Sequence, residues 1–206
     1  MPNDAAILEH LRRELERQGN TFVERPELKE YLALAQCYQG AELRAKQAEI
    51  EIDERINGYA CDDQGCVTGL CLNGVQLRDY AFLADFPWLT WLSLRLNEMS
   101  DLMPLAGLTT LTQLGIEYNH IRDLTPLAGL TALTEIDVSF NWISDLTPLV
   151  GLTALTQLHV SNNEIRDLTP LAGLTALKKL EVDSNRISDL TPLAGLTALK
   201  KLDIQG

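Results

Sequence analysis

Residues 123–133 read DLTPLAGLTAL, and the same eleven letters return at residues 167–177 and 189–199. A fourth copy, at residues 145–155, differs only by Val150 in place of alanine. The copies recur every 22 residues. A fixed period of this length is typical of a solenoid, in which each unit stacks on the next. We therefore predict a scaffold that displays a surface, and not a fold built around one catalytic pocket.

Within each unit, apolar residues and asparagines occupy fixed columns. One column reads Leu92, Leu114, Ile136, Leu158, Leu180 and Leu202; the next, two residues later, reads Leu94, Ile116, Val138, Val160, Val182 and Ile204; the asparagines, three further on, are Asn97, Asn119, Asn141, Asn163 and Asn185. The alternating apolar pair predicts a short strand with one buried face, and stacked copies predict a parallel sheet. The asparagine amides are expected to bond backbone groups of adjacent turns and so form a ladder.

The phrase that opens the repeat predicts how the chain returns from one strand to the next. Thr and Pro suit the N-cap and first positions of a short helix, Gly suits its end, and the space allows one or two turns, most simply 3₁₀. The leucines of each unit are then expected to point inward, as at Leu124, Leu127, Leu130 and Leu133. The aspartates recur in every copy (Asp123, Asp145, Asp167 and Asp189), which favours a structural role in capping the turns over acid catalysis or calcium binding.

Each unit reads L-x-x-L-x-L-x-x-N-x-I, and the units resemble the internalin-type, 22-residue class of leucine-rich repeat. The resemblance covers residues 67–206, as six units and the start of a seventh. It implies an α/β fold: a right-handed leucine-rich-repeat solenoid with a parallel β-sheet on the concave side and short 3₁₀ or α turns on the convex side. Members of this class bind other proteins across the sheet, so the resemblance implies a protein partner. The exposed side of the sheet is called the concave face below.

The chain before the repeats predicts a separate structural unit. Residues 1–57 do not repeat and indicate a helical N-terminal cap, whereas residues 58–206 form the leucine-rich-repeat domain. A first helix is expected to stop at Gly19, with second and third helices over residues 26–40 and 41–56. The apolar face of the first helix consists of Ile7, Leu8, Leu11 and Leu15. Such a unit would cover the exposed core of the first repeat, while a separate adaptor domain is the alternative.

At the other end, the sequence stops where the next asparagine of the ladder is due. Leu202 and Ile204 would then end the sheet without a polar capping repeat. We expect the array to continue beyond Gly206 in a longer chain, with further repeats or domains of the same protein.

The charge balance limits the classes of partner. The net charge is −12, and the acidic excess is shared between the parts before and after Val67. A nucleic acid or an anionic membrane surface is therefore not expected as a partner. No stretch reaches the length of a membrane helix, and residues 1–19 lack the apolar core of a signal peptide. These features predict a cytoplasmic location.

Four cysteines precede or begin the array, at Cys37, Cys61, Cys66 and Cys71. Their spacing is not that of a zinc knuckle and no histidine lies near them, so no metal site is expected. The favoured interpretation is reduced cysteines packed as small apolar residues in the cap. A disulfide-bonded extracellular cap is the alternative. Cys71 is expected to point to the concave face as an accessible thiol.

Function is expected where the repeats differ from one another. The turn phrase hardly varies, whereas the outward strand positions vary strongly and are free to encode a partner. Exposed aromatics clustered on a sheet are typical interface anchors, although Leu96 or Phe140 packed into the core would be the plainer alternative. The apolar patch comprises Trp91, Leu96, Tyr118, Phe140 and Trp142. The predicted partner-binding residues are Trp91, Arg95, Tyr118, Phe140, Trp142, Asp137 and His159.

No catalytic, cofactor or metal motif competes with this interpretation. His120 and His159 have no serine or cysteine placed by a motif to complete a triad, and the chain contains neither a phosphate-binding loop nor a dinucleotide fingerprint. The prediction is a protein that is not an enzyme and needs no cofactor. Two alternatives stay open. Residues 41–92 resemble the start of the repeat region in bacterial Roco proteins, which implies the recognition arm of a larger signalling GTPase. The second alternative is a secreted adhesion protein like the internalins.

Overall fold

The computed structural model describes residues 4–17, 22–24, 57–62, 66–75, 77 and 79–204. Helix α1 spans Asp4–Arg17. The strands in these ranges are β1 (Phe22–Glu24), β2 (Asn57–Cys61), β3 (Val67–Cys71), β4 (Trp91–Ser93), β5 (Gln113–Gly115), β6 (Glu135–Asp137), β7 (Gln157–His159), β8 (Lys179–Glu181) and β9 (Lys201–Asp203). From β3 onward the strands alternate with 3₁₀ turns at Ala81–Asp85, Met103–Leu105, Thr125–Leu127, Thr147–Leu149, Thr169–Leu171 and Thr191–Gly195.

The nine strands form one sheet in chain order, from β1 to β9. Every pair from β3 to β9 is parallel, and each residue lies beside its equivalent one repeat away, as Leu92 lies between Leu70 and Leu114. Strands β1 and β2 are parallel, whereas β2 and β3 are antiparallel with an irregularity at Ala60 and Cys61. The parallel array that the period predicted is confirmed, with the predicted register.

The core is a continuous column of leucine and its homologues behind the sheet. The middle residue of each strand from β4 to β8 is buried, and the inward leucines of the turn phrase lie against it. The four expected turn leucines, Leu124, Leu127, Leu130 and Leu133, are all buried. Each fully buried leucine contributes about 1.5–3 kcal/mol, so the repeated phrase accounts for most of the driving force for folding. Because every unit buries its leucines against its neighbours, stability depends on stacking.

The asparagine ladder forms as the sequence predicted. Asn141 Nδ2 donates to the carbonyl oxygens of Ile116, Val138 and Ser139 at 3.0, 3.1 and 3.2 Å. Its Oδ1 accepts the N–H of Ile121, in the preceding repeat, at 2.9 Å. The same donations are made by Asn97, Asn119, Asn163 and Asn185. The amide thus satisfies backbone groups that the sharp exit from the strand would leave buried and unpaired.

The turns differ from expectation in one respect. The 3₁₀ helix starts at Thr125, and the N-cap position is Leu124, so the assignment of Thr as the N-cap is wrong. Leu124 makes no side-chain cap; instead Asp123, one residue earlier, accepts the N–H of Thr125 with its Oδ1 at 2.8 Å. The physical reason is that a carboxylate two residues before the first turn is long enough to accept the free N–H of that turn. Hydrogen bonds from the following threonine lower the pKa of Asp123, Asp167 and Asp189.

Helix α1 packs on the start of the array. Its buried side chains Leu11 and Leu15 join the same core as the repeats, and the helix contacts β1 and the first 3₁₀ turn. Two ion pairs at i,i+4 spacing, Glu9–Arg13 and Arg12–Glu16, both 3.0 Å, line its exposed side. The predicted first helix is therefore confirmed, with its end at Arg17.

The N-terminal part also contains two strands that the sequence did not predict. Strands β1 and β2 extend the sheet beyond the first repeat, and Asn57, the residue after the predicted third helix, begins β2. Its Oδ1 accepts the N–H of Asn73 at 2.6 Å. The predicted helices over residues 26–40 and 41–56, and the stop at Gly19, lie outside the described residues. The division into units at residue 57 stays a prediction.

The cysteines of the described part are free thiols, at Cys61, Cys66 and Cys71. Cys71 is buried, so the expectation of an accessible thiol at this position is wrong. Burial raises its pKa to about 12, which suppresses the reactive thiolate at neutral pH. Cys37 lies outside the described residues. Over the ranges that the structure describes, no helix is both long and apolar enough to span a membrane.

Candidate protein-binding face

The strand register assembles the outward side chains of the concave face into rows. One row follows the first residue of each strand: Trp91, Gln113, Glu135, Gln157, Lys179 and Lys201. The other follows the third residue: Ser93, Gly115, Asp137, His159, Glu181 and Asp203. Adjacent strands lie about 4.8 Å apart, so each residue lies directly beside its equivalents in the neighbouring repeats. Residues 22 apart in the sequence thus form one continuous surface.

Beyond the strands, the residue before each ladder asparagine has a positive φ. The φ values are 55° at Leu96, 57° at Tyr118, 55° at Phe140, 55° at Asn162 and 52° at Ser184. This left-handed conformation suits Asn and costs a bulky side chain of order 1 kcal/mol. The fold therefore requires the conformation but does not require an aromatic residue there, since Asn162 and Ser184 occupy the same position in later repeats.

The side chains at these positions form an exposed apolar surface. Leu96, Tyr118 and Phe140 are 48, 41 and 41% exposed, and the rings of Tyr118 and Phe140 stack with centroids 4.1 Å apart. The alternative in which Leu96 or Phe140 packs into the core is thus wrong. Stacking in a defined geometry fixes the rings before any partner arrives, so little conformational entropy would be lost on binding.

A second aromatic pair lies two residues further along the same repeats. The His120 and Trp142 rings stack with centroids 4.6 Å apart, and the Arg122 guanidinium lies 4.7 Å from the centroid of the Trp142 ring. Trp142 is 42% exposed. The name aromatic ledge is used below for these two stacks and Leu96, that is, for Leu96, Tyr118, His120, Phe140 and Trp142. An exposed apolar cluster of this kind is typical of a protein-interaction site.

The far end of the concave face carries a charge network, in which His159 and Lys179 are buried. Glu181 Oε2 lies 2.6 Å from His159 Nδ1, and Glu181 Oε1 lies 2.8 Å from Lys179 Nζ. Lys201 Nζ completes the network at 3.4 Å from Glu181 Oε1 and 2.7 Å from Asp203 Oδ2. The hydrogen bond with His159 holds the pKa of Glu181 well below its ordinary value, with further lowering by Lys179. Hydrogen bonding to Asp203 raises the pKa of Lys201.

The middle of the face carries two carboxylates on one strand. Glu135 and Asp137 flank Ile136 on β6, and both are half-buried. Glu135 Oε2 lies 3.4 and 3.5 Å from the side-chain amides of Gln113 and Gln157. Burial raises the pKa of Glu135, an effect that the charges of His159 and Lys179 oppose.

The structure distributes the predicted partner-binding residues over three environments. Tyr118, Phe140 and Trp142 lie exposed in the aromatic ledge, while Trp91 and Asp137 lie half-buried on the sheet. Arg95 is half-buried and forms an ion pair with Glu117. His159 lies in the outward row but is only 5% exposed, so it is not a freely accessible member of the predicted set. Glu181, one repeat on, contacts its ring and is itself paired with Lys179.

The partner-binding residues predicted from the sequence omit two contributors to the face. His120 and Arg122 both pack against Trp142. The signal lies in the repeat alignment, because His120 is the equivalent of Trp142 one repeat earlier and Arg122 follows it by two residues. In the described part of the chain, no group of three or more His, Cys, Asp or Glu side chains could hold a metal ion.

Comparison with known proteins identifies the class of repeat. Residues 131–173 match the family described as Leucine Rich repeats (2 copies). The structure is similar at the level of fold to the plant peptide hormone receptor RGFR1, with 19% identity and a TM-score of 0.60 over 70% of this chain and 28% of the receptor. Repeated parallel strands that alternate with 3₁₀ turns thus form a right-handed leucine-rich-repeat solenoid, with the sheet on its concave side. A leucine-rich-repeat domain is a general protein-binding module, and the fold is typically non-catalytic.

Two bacterial structures narrow the class. Internalin C2 of Listeria monocytogenes is 35% identical, with a TM-score of 0.66 over 71% of this chain and 67% of its own. Internalin InlF of the same organism is also 35% identical, with a TM-score of 0.67 over 72% of this chain and 46% of its own. This chain belongs to the leucine-rich-repeat proteins with internalin-like repeats. It spans about two thirds of the internalin C2 chain and under half of InlF. A comparison with curated protein sequences gave no significant match.

Proposed function

We propose that the chain is a non-catalytic module that binds a protein partner through its concave face, with the aromatic ledge as the energetic centre of the interface. One observation supports this most strongly. Tyr118 and Phe140 are stacked, exposed and held at positive φ, in a column where Asn162 and Ser184 would serve the backbone better. Residues that lower the stability of the fold and have no structural role are expected at positions that are required for binding.

In the proposed mechanism, the repeats form a rigid scaffold that displays the concave face. The asparagine ladder and the buried leucines hold each repeat against its neighbours, so the aromatic ledge keeps its shape without a partner. Stacked rings that need no reordering are the residues expected to dominate binding free energy. The less exposed Trp91, Arg95 and Asp137 would border the ledge and set specificity. His159 would support the face from within the sheet, because it is buried and paired with Glu181.

We propose two alternatives for the protein as a whole. In the first, it acts in the cytoplasm, as a free module or as the recognition arm of a larger signalling chain. This alternative involves no cofactor and no nucleic-acid or membrane partner. The 35% identity to Listeria internalins favours the alternative of a secreted or surface adhesion protein. Fractionation of the source cells separates the two, because the first requires the protein in the cytosol and the second requires it at the surface or in the medium.

The proposed function predicts a defined loss of binding. The double substitution Tyr118→Asn and Phe140→Asn copies the residue at position 162 and so removes the rings without disturbing the backbone. The immobilised wild type is expected to capture partner proteins from the source cells. The variant should capture at least about tenfold less of these proteins, because it lacks the centre of the interface. Quantitative mass spectrometry of the captured proteins is the measurement.

A matched control comes from the chain itself. Trp88 is a similarly exposed aromatic, but it lies in the turn before β4, off the concave face. Trp88→Asn should leave capture unchanged. Equal capture by the wild type and the Tyr118/Phe140 variant would exclude the aromatic ledge as the binding centre.

A further inference from the structure

The concave face carries its charges unevenly. Among the described residues, the cations of the face are engaged with particular acids: Arg95 with Glu117, His159 and Lys179 with Glu181, and Lys201 with Glu181 and Asp203. Glu135 and Asp137 form no ion pair within this part of the chain. Glu135 receives only the two long amide contacts, and Asp137 Oδ1 accepts the N–H of Ser139 at 3.0 Å. The centre of the face therefore carries two carboxylates without an ion pair in the described part of the chain.

Oxygen atoms surround the strand position beside Asp137. Gly115 lies next to Asp137 on the neighbouring strand and presents no side chain of its own. A Cβ atom at Gly115 would lie only 3.1 Å from Glu117 Oε2 and 3.7 Å from Ser93 Oγ, so these oxygen atoms occupy the space beside the glycine. The surroundings of Asp137 on this side are thus rich in oxygen atoms that accept hydrogen bonds. A donor or cation from a partner fits this environment, whereas a carboxylate or phosphate would be repelled.

The aromatic ledge continues from the same two strands. Tyr118 follows Gly115 by three residues and Phe140 follows Asp137 by three, a separation of about 10 Å along the chain. A lysine or arginine side chain spans part of this distance with its apolar stem and ends in its charge. The ledge already shows that its rings accept a guanidinium, since Arg122 lies 4.7 Å from the Trp142 centroid.

We infer that the occupant of the concave face is a protein segment that presents a lysine or arginine next to an apolar side chain, with the cation against Glu135 and Asp137 and the apolar group on the Tyr118–Phe140 stack. This inference rests on the proposed function and adds the chemistry of the partner. The net charge of −12 supports it, because the long-range field draws cationic partners and raises their association rate. A cation at this position would also restore the favourable solvation that Glu135 loses by burial.

A random peptide library tests the inference without a known partner. Peptides of about a dozen residues, displayed on phage, are selected on the immobilised 206-residue chain, and the enriched sequences are synthesised. Their affinities are then measured by calorimetry for the wild type, Glu135→Gln, Asp137→Asn and the Tyr118→Asn/Phe140→Asn variant. Asp85→Asn is the control, since Asp85 is an exposed acid at the end of the first 3₁₀ turn.

The expected result is a set of peptides with lysine or arginine next to aliphatic or aromatic residues. Glu135→Gln and Asp137→Asn should each weaken their binding by about tenfold, because a charge-assisted contact becomes a neutral one. Asp85→Asn should leave the affinity unchanged. Asn at position 137 keeps the oxygen that accepts the Ser139 N–H, so circular dichroism and urea unfolding should match the wild type.

The failures of the two proposals are distinguishable. Peptides that lose affinity for the Tyr118/Phe140 variant but bind Asp137→Asn and Glu135→Gln like the wild type would overturn the inference on charge and leave the proposed function standing. Enriched peptides without basic residues would do the same. Peptides whose affinity no variant on the face changes would overturn both, as would a selection that enriches no peptide.

Discussion

Neighbouring residues in one repeat serve opposite purposes. Asn141 is buried, and its amide bonds three carbonyl oxygens and one N–H, so its identity follows from the backbone around it. Phe140, one position earlier, is exposed in a left-handed conformation that disfavours a bulky side chain. Structure explains the asparagine and does not explain the phenylalanine. The contrast assigns Asn141 to the fold and Phe140 to the proposed interface.

Two single substitutions check this contrast. Phe140→Asn should change the free energy of unfolding by less than about 1 kcal/mol, because relief of backbone strain offsets the lost ring stacking. Asn141→Ala should cost at least about 3 kcal/mol, because several buried backbone groups lose their partners. Urea unfolding monitored by circular dichroism measures both. Similar losses for the two variants would show that Phe140 is structural.

At the scale of the element, each three-residue strand is too short to be stable alone and depends on its two neighbours. The neighbouring strands also determine whether the outward side chains are exposed or buried. Glu181 on β8 contacts His159 on β7, Lys179 pairs with Glu181 on the same strand, and Lys201 on β9 reaches back to Glu181. His159 and Lys179, which a single strand would expose, are buried within this network. This end of the concave face is stabilised by cross-strand electrostatics, whereas the other end carries the aromatic ledge.

Removal of the shared carboxylate should weaken this part of the sheet. Glu181→Gln leaves Lys179 and His159 buried without their anion, and we expect a loss of about 1–3 kcal/mol in the free energy of unfolding at neutral pH. The matched control is Glu164→Gln, which breaks the exposed Glu164–Arg186 pair at 3.5 Å. That change should cost less than about 0.5 kcal/mol.

The same network predicts a pH dependence with a definite sign. The folded state holds the pKa of Glu181 below its ordinary value of 4.5, so the unfolded chain binds the proton first as the pH falls. The stability due to Glu181 is thus complete above pH 4.5 and is lost as the pH falls from there towards the lower folded pKa. The difference in unfolding free energy between the wild type and Glu181→Gln should therefore shrink between about pH 5 and pH 3. A difference that stays constant over this range would contradict the network.

At the scale of the whole molecule, the fold is close to one-dimensional. The sheet runs in strict chain order from β1 to β9, and each repeat packs on the one before and the one after. Central repeats are therefore covered on both sides, while Leu202 on β9 is 37% exposed. A defect in the middle disturbs two interfaces, and one at the end disturbs a single interface.

Truncations in one leucine column test this description. Leu158→Ala, at a fully buried position in β7, should destabilise the 206-residue chain by about 3 kcal/mol or more. Leu202→Ala, the equivalent position in β9, should cost less than about 1 kcal/mol because its side chain is already partly in water. Urea unfolding gives the totals, and native-state hydrogen exchange locates the loss. Equal losses at the two positions would argue against nearest-neighbour stability.

The sequence alone determined the features that depend on residues near each other or one period apart. The register of β3 to β9, the leucine core and the asparagine ladder all follow from a 22-residue spacing, because every unit meets an equivalent unit. The columns of the concave face follow for the same reason. The Asp cap of the turn was foreseen as capping, although its geometry relative to Thr125 was not.

Only the tertiary structure decided the features of the molecule that have no counterpart one repeat away. Strands β1 and β2 pair residues 35 apart, as Phe22 does with Asn57, and no periodicity reports such a contact. The pairing of the buried His159 depends on how the Glu181 side chain reaches it from the neighbouring strand, which a pattern of residue types does not contain. The stack of Tyr118 on Phe140 likewise required the positive φ before the asparagine, because that backbone turn directs both rings outward. Periodicity defines which residues are neighbours, whereas three-dimensional packing decides which of them remain exposed for a partner.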